Sequence, residues 1–211
     1  MEDFILNITI MLRYFISVFS LCCVFTVCSQ SVEENILKAN ANRNCTKCAF
    51  VQEKHLVMID KTESIDGTLY LKNDDKLSMH YNSSNQYMAI NTDLFYMKTG
   101  KKVIKAKLSN NEMFKQLSFL LINSLYGKID DIQKNTNSIK YITTDDKHYI
   151  VTFTKEKKQV KGYKTVELKY SKSKKQLVEM KLEEYSGNYN IYKLSKYEYP
   201  SSLSDDLFRI E

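Results

Sequence analysis

From Phe50 onward the apolar residues of this chain recur with a period of two. Leu77, Met79 and Tyr81 alternate with Lys76, Ser78 and His80, and Tyr149, Val151 and Phe153 alternate with His148, Ile150 and Thr152. Successive side chains of an extended chain point to opposite faces, so this alternation marks strands with one face toward a core. Further strand-like runs cover 139–143, 163–170, 177–184 and 189–195. Short turn signals separate the runs: Ile65-Asp66-Gly67, Asn73-Asp74-Asp75, residues 82–85, Lys98-Thr99-Gly100 and Asp145-Asp146. Regular spacing with small turns predicts a meandering antiparallel sheet or barrel. The 15 Tyr and 10 Phe, with one Pro and no Trp, suit half-buried pleated strands.

Two segments depart from the period of two. Residues 31–42 read as a helix, with Ser31 as cap, Glu33 and Glu34 in the first turn, and Val32, Ile36 and Ala39 on one face. Ser109-Asn110-Asn111-Glu112 fits a capping box with Ser109 as N-cap. Met113, Phe114, Leu117, Leu120, Leu121 and Leu125 then follow at helical spacing, and Gly127 closes the helix. No charge occurs from Gln116 to Tyr126. A helix apolar on most sides is either buried or covers an apolar cavity. The predicted fold is mainly β (α+β): a single strongly curved antiparallel sheet, with an N-terminal helix and a mid-chain apolar helix as lid. No linker and no repeat is visible, so residues 31–211 are read as one domain.

The first 30 residues read as a secretory signal peptide. Arg13 precedes an apolar run from Tyr14 to Val27, followed by Cys28, Ser29 and Gln30. Glu2 and Asp3 are foreign to such a leader, which points to translation starting at Met11. Two other readings stay open, a retained membrane anchor at the N-terminus and lipid attachment at Cys28. Of the five cysteines only Cys45 and Cys48 lie beyond the leader. Spaced C-x-x-C, they are read as a local disulfide or as two small buried hydrophobes. The alternative is a redox dithiol, although the pair does not open a helix as that chemistry requires.

Several function classes find no support. Zinc would need two further ligands, and His55, His80 and His148 are scattered; no metal and no cofactor is expected. No nucleophile elbow, phosphate loop or histidine arrangement suggests an enzyme. Glu183 and Glu184 are strand neighbours that point to opposite faces, so they form no catalytic pair. The net charge of +6 comes without a nucleic-acid motif. Lys101, Lys102, Lys105 and Lys107 read as a solvated edge that resists further strand pairing.

The order of elements resembles the LolA-type outer-membrane lipoprotein carriers, in their divergent Bacteroidetes-like form. The resemblance is carried by Phe50-Val51-Gln52-Glu53-Lys54, by Gly67 to Lys72 with Lys76 to Tyr81, and by Tyr87 to Met97 with its Asn91-Thr92-Asp93 turn. It continues through Asn111 to Gly127, Glu184 to Tyr192 and Asp205 to Ile210. One departure is plain: the turn after Lys72 is Asn73-Asp74-Asp75, where the family's well-known carriers have an Arg and a Pro. The resemblance implies an unclosed β-barrel with an apolar concave face and helices over its mouth. It implies a periplasmic monomer that takes acylated lipoproteins from an inner-membrane releasing transporter to an outer-membrane acceptor. Each acyl methylene withdrawn from water gains about 0.8 kcal/mol, so such cargo needs an escort. An adaptable lining of Met and aromatic side chains would hold it and still let it go. Candidate lining residues on the alternating faces are Leu69, Leu71, Leu77, Met79, Tyr81, Tyr87, Met97 and Phe153, and candidate lid residues are Met113, Phe114, Leu117, Leu120 and Leu121. Singly, each would also serve as ordinary core. Two alternatives keep the fold: a carrier of another envelope lipid or glycolipid, and a half-barrel sensor or adaptor for an envelope protein.

Overall fold

A computed structural model describes residues 31–82, 85–155 and 162–210. The predicted signal peptide, the Met11 start and Cys28 lie outside the described residues. Val32–Glu211 forms one compact unit with its own core.

Among the described residues, three helices and eleven strands follow in the order α1 (Val32–Asn40), β1 (Cys45–Leu56), β2 (Lys61–Lys72), β3 (Lys76–Tyr81), β4 (Gln86–Asn91), β5 (Leu94–Thr99), β6 (Lys102–Lys107), α2 (Glu112–Tyr126), α3 (Ile129–Thr136), β7 (Ile139–Thr144), β8 (His148–Thr154), β9 (Tyr163–Ser171), β10 (Leu177–Glu184) and β11 (Tyr189–Glu198). All strands belong to one sheet of order β6-β5-β4-β3-β2-β1-β11-β10-β9-β8-β7, with every described pairing antiparallel. Two meanders, β1 to β6 and β7 to β11, are joined at the middle by β1 and β11. The edges β6 and β7 do not pair, so the barrel is unclosed, and α2 and α3 are the connection between them.

The period of two decides what each face does. Leu69 and Leu71 of β2, Leu77 and Met79 of β3, Met88 and Ile90 of β4 and Phe95 of β5 point inward. Val151 and Phe153 of β8, Leu168 of β9 and Leu182 of β10 join them, and with Ile36, Leu120, Leu125, Ile129 and Ile132 of the helices they form a single buried cluster. Fully burying such a side chain is worth about 1.5–3 kcal/mol, so the three helices are held chiefly by this cluster. Gly67 is required by the same packing. A Cβ there would stand 2.1 Å from the His80 carbonyl oxygen and 2.8 Å from the Phe50 ring, which lies over its register partner.

The outer face of β3 and β4 is covered too. Ser78 and Ala89 are register partners on that face and are fully buried. The C-terminal 3-10 turn Asp205–Phe208 crosses there as a strap. Tyr87 Oη donates to the carbonyls of Leu207 and Arg209, both at 3.0 Å, and Asn91 Nδ2 donates to that of Phe208 at 3.2 Å. Lys72 and Lys76 both reach the Asp205 carboxylate, at 3.0 and 2.9 Å.

Three local expectations are corrected or extended. Ile65-Asp66-Gly67 is not a turn but the interior of β2; the reversal lies at the 3-10 turn Val57–Ile59, where Asp60 takes φ 44°. The N-cap of α2 is Asn111 and not Ser109, because the Asn111 side chain accepts from the Phe114 amide at 3.1 Å while Ser109 sits in a preceding 3-10 turn. A second mid-chain helix, α3, follows α2 directly. Of the two readings of Cys45 and Cys48, that of two small buried hydrophobes holds: both are free, buried thiols. Both lie on extended β1, where residues three apart are separated by about 10 Å, beyond the reach of an S–S bridge.

Candidate functional site

The candidate site is the concave face of the sheet together with the helices that fill it. Leu69, Leu71, Leu77, Met79 and Phe153 are all brought together in the inner cluster, each no more than 2% exposed. Tyr81 and Met97 are half-buried and pack against it. Tyr81 meets Phe50 edge-on at 5.2 Å and donates to Gln52 Oε1 at 3.0 Å; burial pushes its phenol up to about 12. Tyr87 is not brought into this group. It alternates with Met88, so it stands on the outer face beneath the strap. As a candidate lining residue it is therefore corrected: a β4 side chain of that parity cannot reach the concave side.

The lid residues divide along α2. Leu120 and Leu121 are fully buried, Phe114 and Leu117 are half-buried against the core, and Met113 is half exposed. The C-terminal end of the helix is tied down. Gly127 closes it in the left-handed conformation at φ 68°, and a Cβ there would meet Ile36 of α1 at 2.6 Å. Tyr126 Oη donates to the Asn73 carbonyl at 2.6 Å, and Lys128 pairs with Asp74 at 2.7 Å. The Asn73-Asp74-Asp75 turn, which lacks the family's Arg and Pro, thus anchors the lid. Inside, Tyr170 Oη donates to the Ser124 carbonyl at 2.8 Å. The N-terminal end of α2 is held by its Asn111 cap and by the Phe114 ring stacked on Phe95.

Two features escape the period-of-two reading. One is Lys140 on β7, whose Nζ lies 2.8 Å from Glu33 of α1 and 2.7 Å from Asp130 of α3. This clasp ties two helices to a sheet edge. Its only sequence signal is the acidic first turn of each helix, Glu33 in α1 and Asp130 in α3, which gives no hint of a shared partner. The other is a cleft of about 990 Å³ beside the N-terminal half of α2, lined by Asn111, Met113, Gln116, Phe119, Asn135 and Lys155 among others. Burial holds the Lys155 ammonium below the ordinary lysine range. The cleft lies at the less strongly anchored end of the lid.

Chemically the site offers apolar contact and little else. Cys48 is buried beside Tyr197, and burial pushes its thiol up to about 12, far from the depressed values of reactive thiolates. Among the described residues no group of three or more His, Cys, Asp or Glu is placed to hold a metal ion. No helix among them is long and apolar enough to cross a membrane.

The described residues form an open antiparallel half-barrel with an apolar concave face under helices. The sequence matches the model of the outer membrane lipoprotein carrier protein LolA over residues 41–211, and the chain belongs to that family. Solved structures are similar to the chain. An uncharacterized conserved protein from Thermus thermophilus is 8% identical, with a TM-score of 0.51 over 86% of this chain and 95% of that one. The LolA superfamily protein NE2245 from Nitrosomonas europaea is 10% identical, with a TM-score of 0.45 over 86% and 99%. A putative outer membrane lipoprotein-sorting protein domain from Vibrio parahaemolyticus is 10% identical, with a TM-score of 0.45 over 83% and 93%. No curated protein matches the sequence.

Proposed function

We propose that this protein is a periplasmic carrier that holds the acyl chains of lipoproteins between its sheet and its helical lid and ferries them from inner to outer membrane. One observation carries the reading: the concave face is apolar throughout, yet it is filled by helices and not by the sheet itself. Leu69, Leu71, Leu77, Met79 and Phe153 are sealed from solvent, so this is a closed form. Cargo enters only when the helices move and exchange their own apolar side chains for acyl chains.

The packing suits such an exchange. The hydroxyls of Ser118 and Ser124 on α2 are buried without a hydrogen-bond partner, and each unpaired group costs the closed form about 1–3 kcal/mol. Opening relieves that cost and offsets part of the apolar exposure. The lid hinges at Gly127, where it is tied down, and lifts at Phe114, beside the cleft. Release by reclosure leaves the affinity moderate, as a carrier that must give up its cargo requires. Export by the leader at residues 1–30 brings the protein to where such cargo travels.

The test is native mass spectrometry of the protein expressed in a bacterial periplasm and purified without detergent. Extra mass that organic solvent releases as an acylated peptide or lipoprotein is the expected result. A released free lipid or glycolipid keeps the carrier but changes its cargo. A cargo-free protein in stable complex with an envelope protein would replace the carrier by an adaptor.

A further inference from the structure

The hairpin of β1 and β2 ends in the most exposed apolar group among the described residues. Met58 is 97% exposed, Ile59 65% and Val57 47%, and the three are consecutive. Scattered exposed hydrophobes are normal on a protein surface, but a contiguous set at a tip is not. The tip also projects. β2 pairs with β1 as far as Lys61, whereas its pairing with β3 ends at Gly67. Asp66 still meets Asn82, and the stretch 61–65 runs on beyond it for about 17 Å, at about 3.3 Å per residue. On its other side β1 is braced by β11 up to the pair His55–Tyr189.

The chemistry around the tip is graded. Two amides flank the inserting residues with partners of their own: the Asp60 amide donates to the Val57 carbonyl at 3.3 Å and the Val57 amide to Asn188 Oδ1 at 3.0 Å. Behind it comes an amphipathic layer. Tyr189 stacks on His55 at 4.8 Å, and the Lys181 ammonium sits 4.5 Å from the Tyr189 ring. Aromatic rings and snorkelling lysines are the groups that rest at headgroup depth. Lys61 is paired with Glu63 at 2.8 Å, which leaves the Asp60 carboxylate as the charge beside the apolar residues.

We propose that this hairpin tip inserts into the boundary between headgroups and acyl chains of a phospholipid bilayer, with Met58 and Ile59 as the inserting side chains. A bilayer fits the tip better than a protein pocket does, because the apolar residues stand outermost with Tyr189 and Lys181 behind them. Asp60, fully exposed and adjacent, sets the limit of insertion at the headgroups. The contact is apolar, so it requires neither anionic lipid nor bound cargo, and it stands apart from the carrier reading.

The experiment is flotation of cargo-free protein, residues 31–211, with vesicles of pure phosphatidylcholine. The chain has no Trp, so Met58→Trp supplies a sole reporter, with Val103→Trp on β6 as its counterpart. The protein is expected to float with the vesicles at low and high salt, and the Met58→Trp emission to move to the blue while that of Val103→Trp stays put. Replacing both side chains, Met58→Asn with Ile59→Asn, should lower the partition by roughly tenfold or more, as expected for losing two buried apolar side chains. The exposed pair Val103→Asn with Ile104→Asn should not. Failure to float, equal flotation of the tip variant, or binding confined to anionic vesicles and abolished by salt would each overturn the proposal.

Discussion

The ring of Phe114 on α2 lies flat against the ring of Phe95 on β5, with centroids 4.1 Å apart and planes 8° from parallel. This stack joins the free end of the lid to the sheet. Phe114→Ala removes it and leaves the anchored end, with Gly127, Tyr126 and Lys128, intact. The expected outcome is a modest loss of stability, about 1–3 kcal/mol because Phe114 is only half-buried, together with stronger binding of a hydrophobic dye. Chemical denaturation and dye titration check the two halves. A loss of stability with no gain in dye binding would place the moving part elsewhere.

The Lys140 clasp gives the lid an acid dependence. Burial pushes the Glu33 carboxyl up, but the hydrogen bond and charge of Lys140 pull harder, and it lies below the ordinary glutamate range. A lowered carboxylate contributes its stability in full above its unfolded pKa, about 4.3, and loses it as pH falls through the folded value. For Lys140, burial pushes down while the hydrogen bonds to Asp130 and Glu33 pull up, with a raised net result. Its contribution is complete below the ordinary lysine range and fades as pH rises through the folded value. Neutral solution therefore keeps the clasp shut. Dye binding is expected to rise between about pH 5 and pH 3, and Glu33→Gln should raise it already at neutral pH and flatten that rise.

Tyr87 separates the two faces of the sheet. Tyr87→Phe deletes the donor to the Leu207 and Arg209 carbonyls. It should cost about 1 kcal/mol and speed hydrogen exchange in the strap at 204–210, with no change in lipid or dye binding. Met79→Ala, in the inner cluster, should cost about 2–5 kcal/mol and change binding as well. An effect of Tyr87→Phe on cargo would contradict its outer-face position.

Cys45 and Cys48 report on opening. Both are buried, and the Cys48 thiol is pushed up to about 12. Residues 31–211 are expected to show no reactive thiol at pH 8 when native and two when denatured. Faster reaction in Phe114→Ala would tie the thiols to the lid.

The sheet was legible because the alternation of Leu77, Met79 and Tyr81 reports parity directly, and its turns at 73–75 and 98–100 carry Asn, Asp or Gly. Parity within one strand does not say which face is the inner one. Tyr87 was misplaced for that reason: its strand has buried residues of both parities, Met88 and Ile90 under the lid and Ala89 under the strap. The strap itself, Asp205–Phe208, shows no periodicity that could announce what it covers. α3 was readable in principle. Ile129 and Ile132 share a helical face, Asp130 and Asp131 open the first turn, and Asn137 ends it at φ 47°, but eight residues beside a stronger helix are easily passed over. The reversal at Val57–Ile59 was hidden because its residues are those of a strand, placed where a soluble turn would carry Asn or Gly.

The pairing of β1 with β11 sets an order of assembly. Each meander can form from neighbours in sequence, since consecutive strands from β1 to β6 and from β7 to β11 lie side by side in the sheet. The register of Phe50 with Leu194, by contrast, spans most of the chain. Such a long-range closure is slow, and it cannot begin until the last strand has emerged. A chain delivered N-terminus first therefore waits as two half-sheets with their apolar faces uncovered. The strap at Asp205–Phe208, which follows β11 in the chain, reaches β3 and β4 only after β11 has emerged. A chain cut after Glu184 should stay as those two half-sheets and be prone to aggregation, because the strand that joins them is the one it lacks.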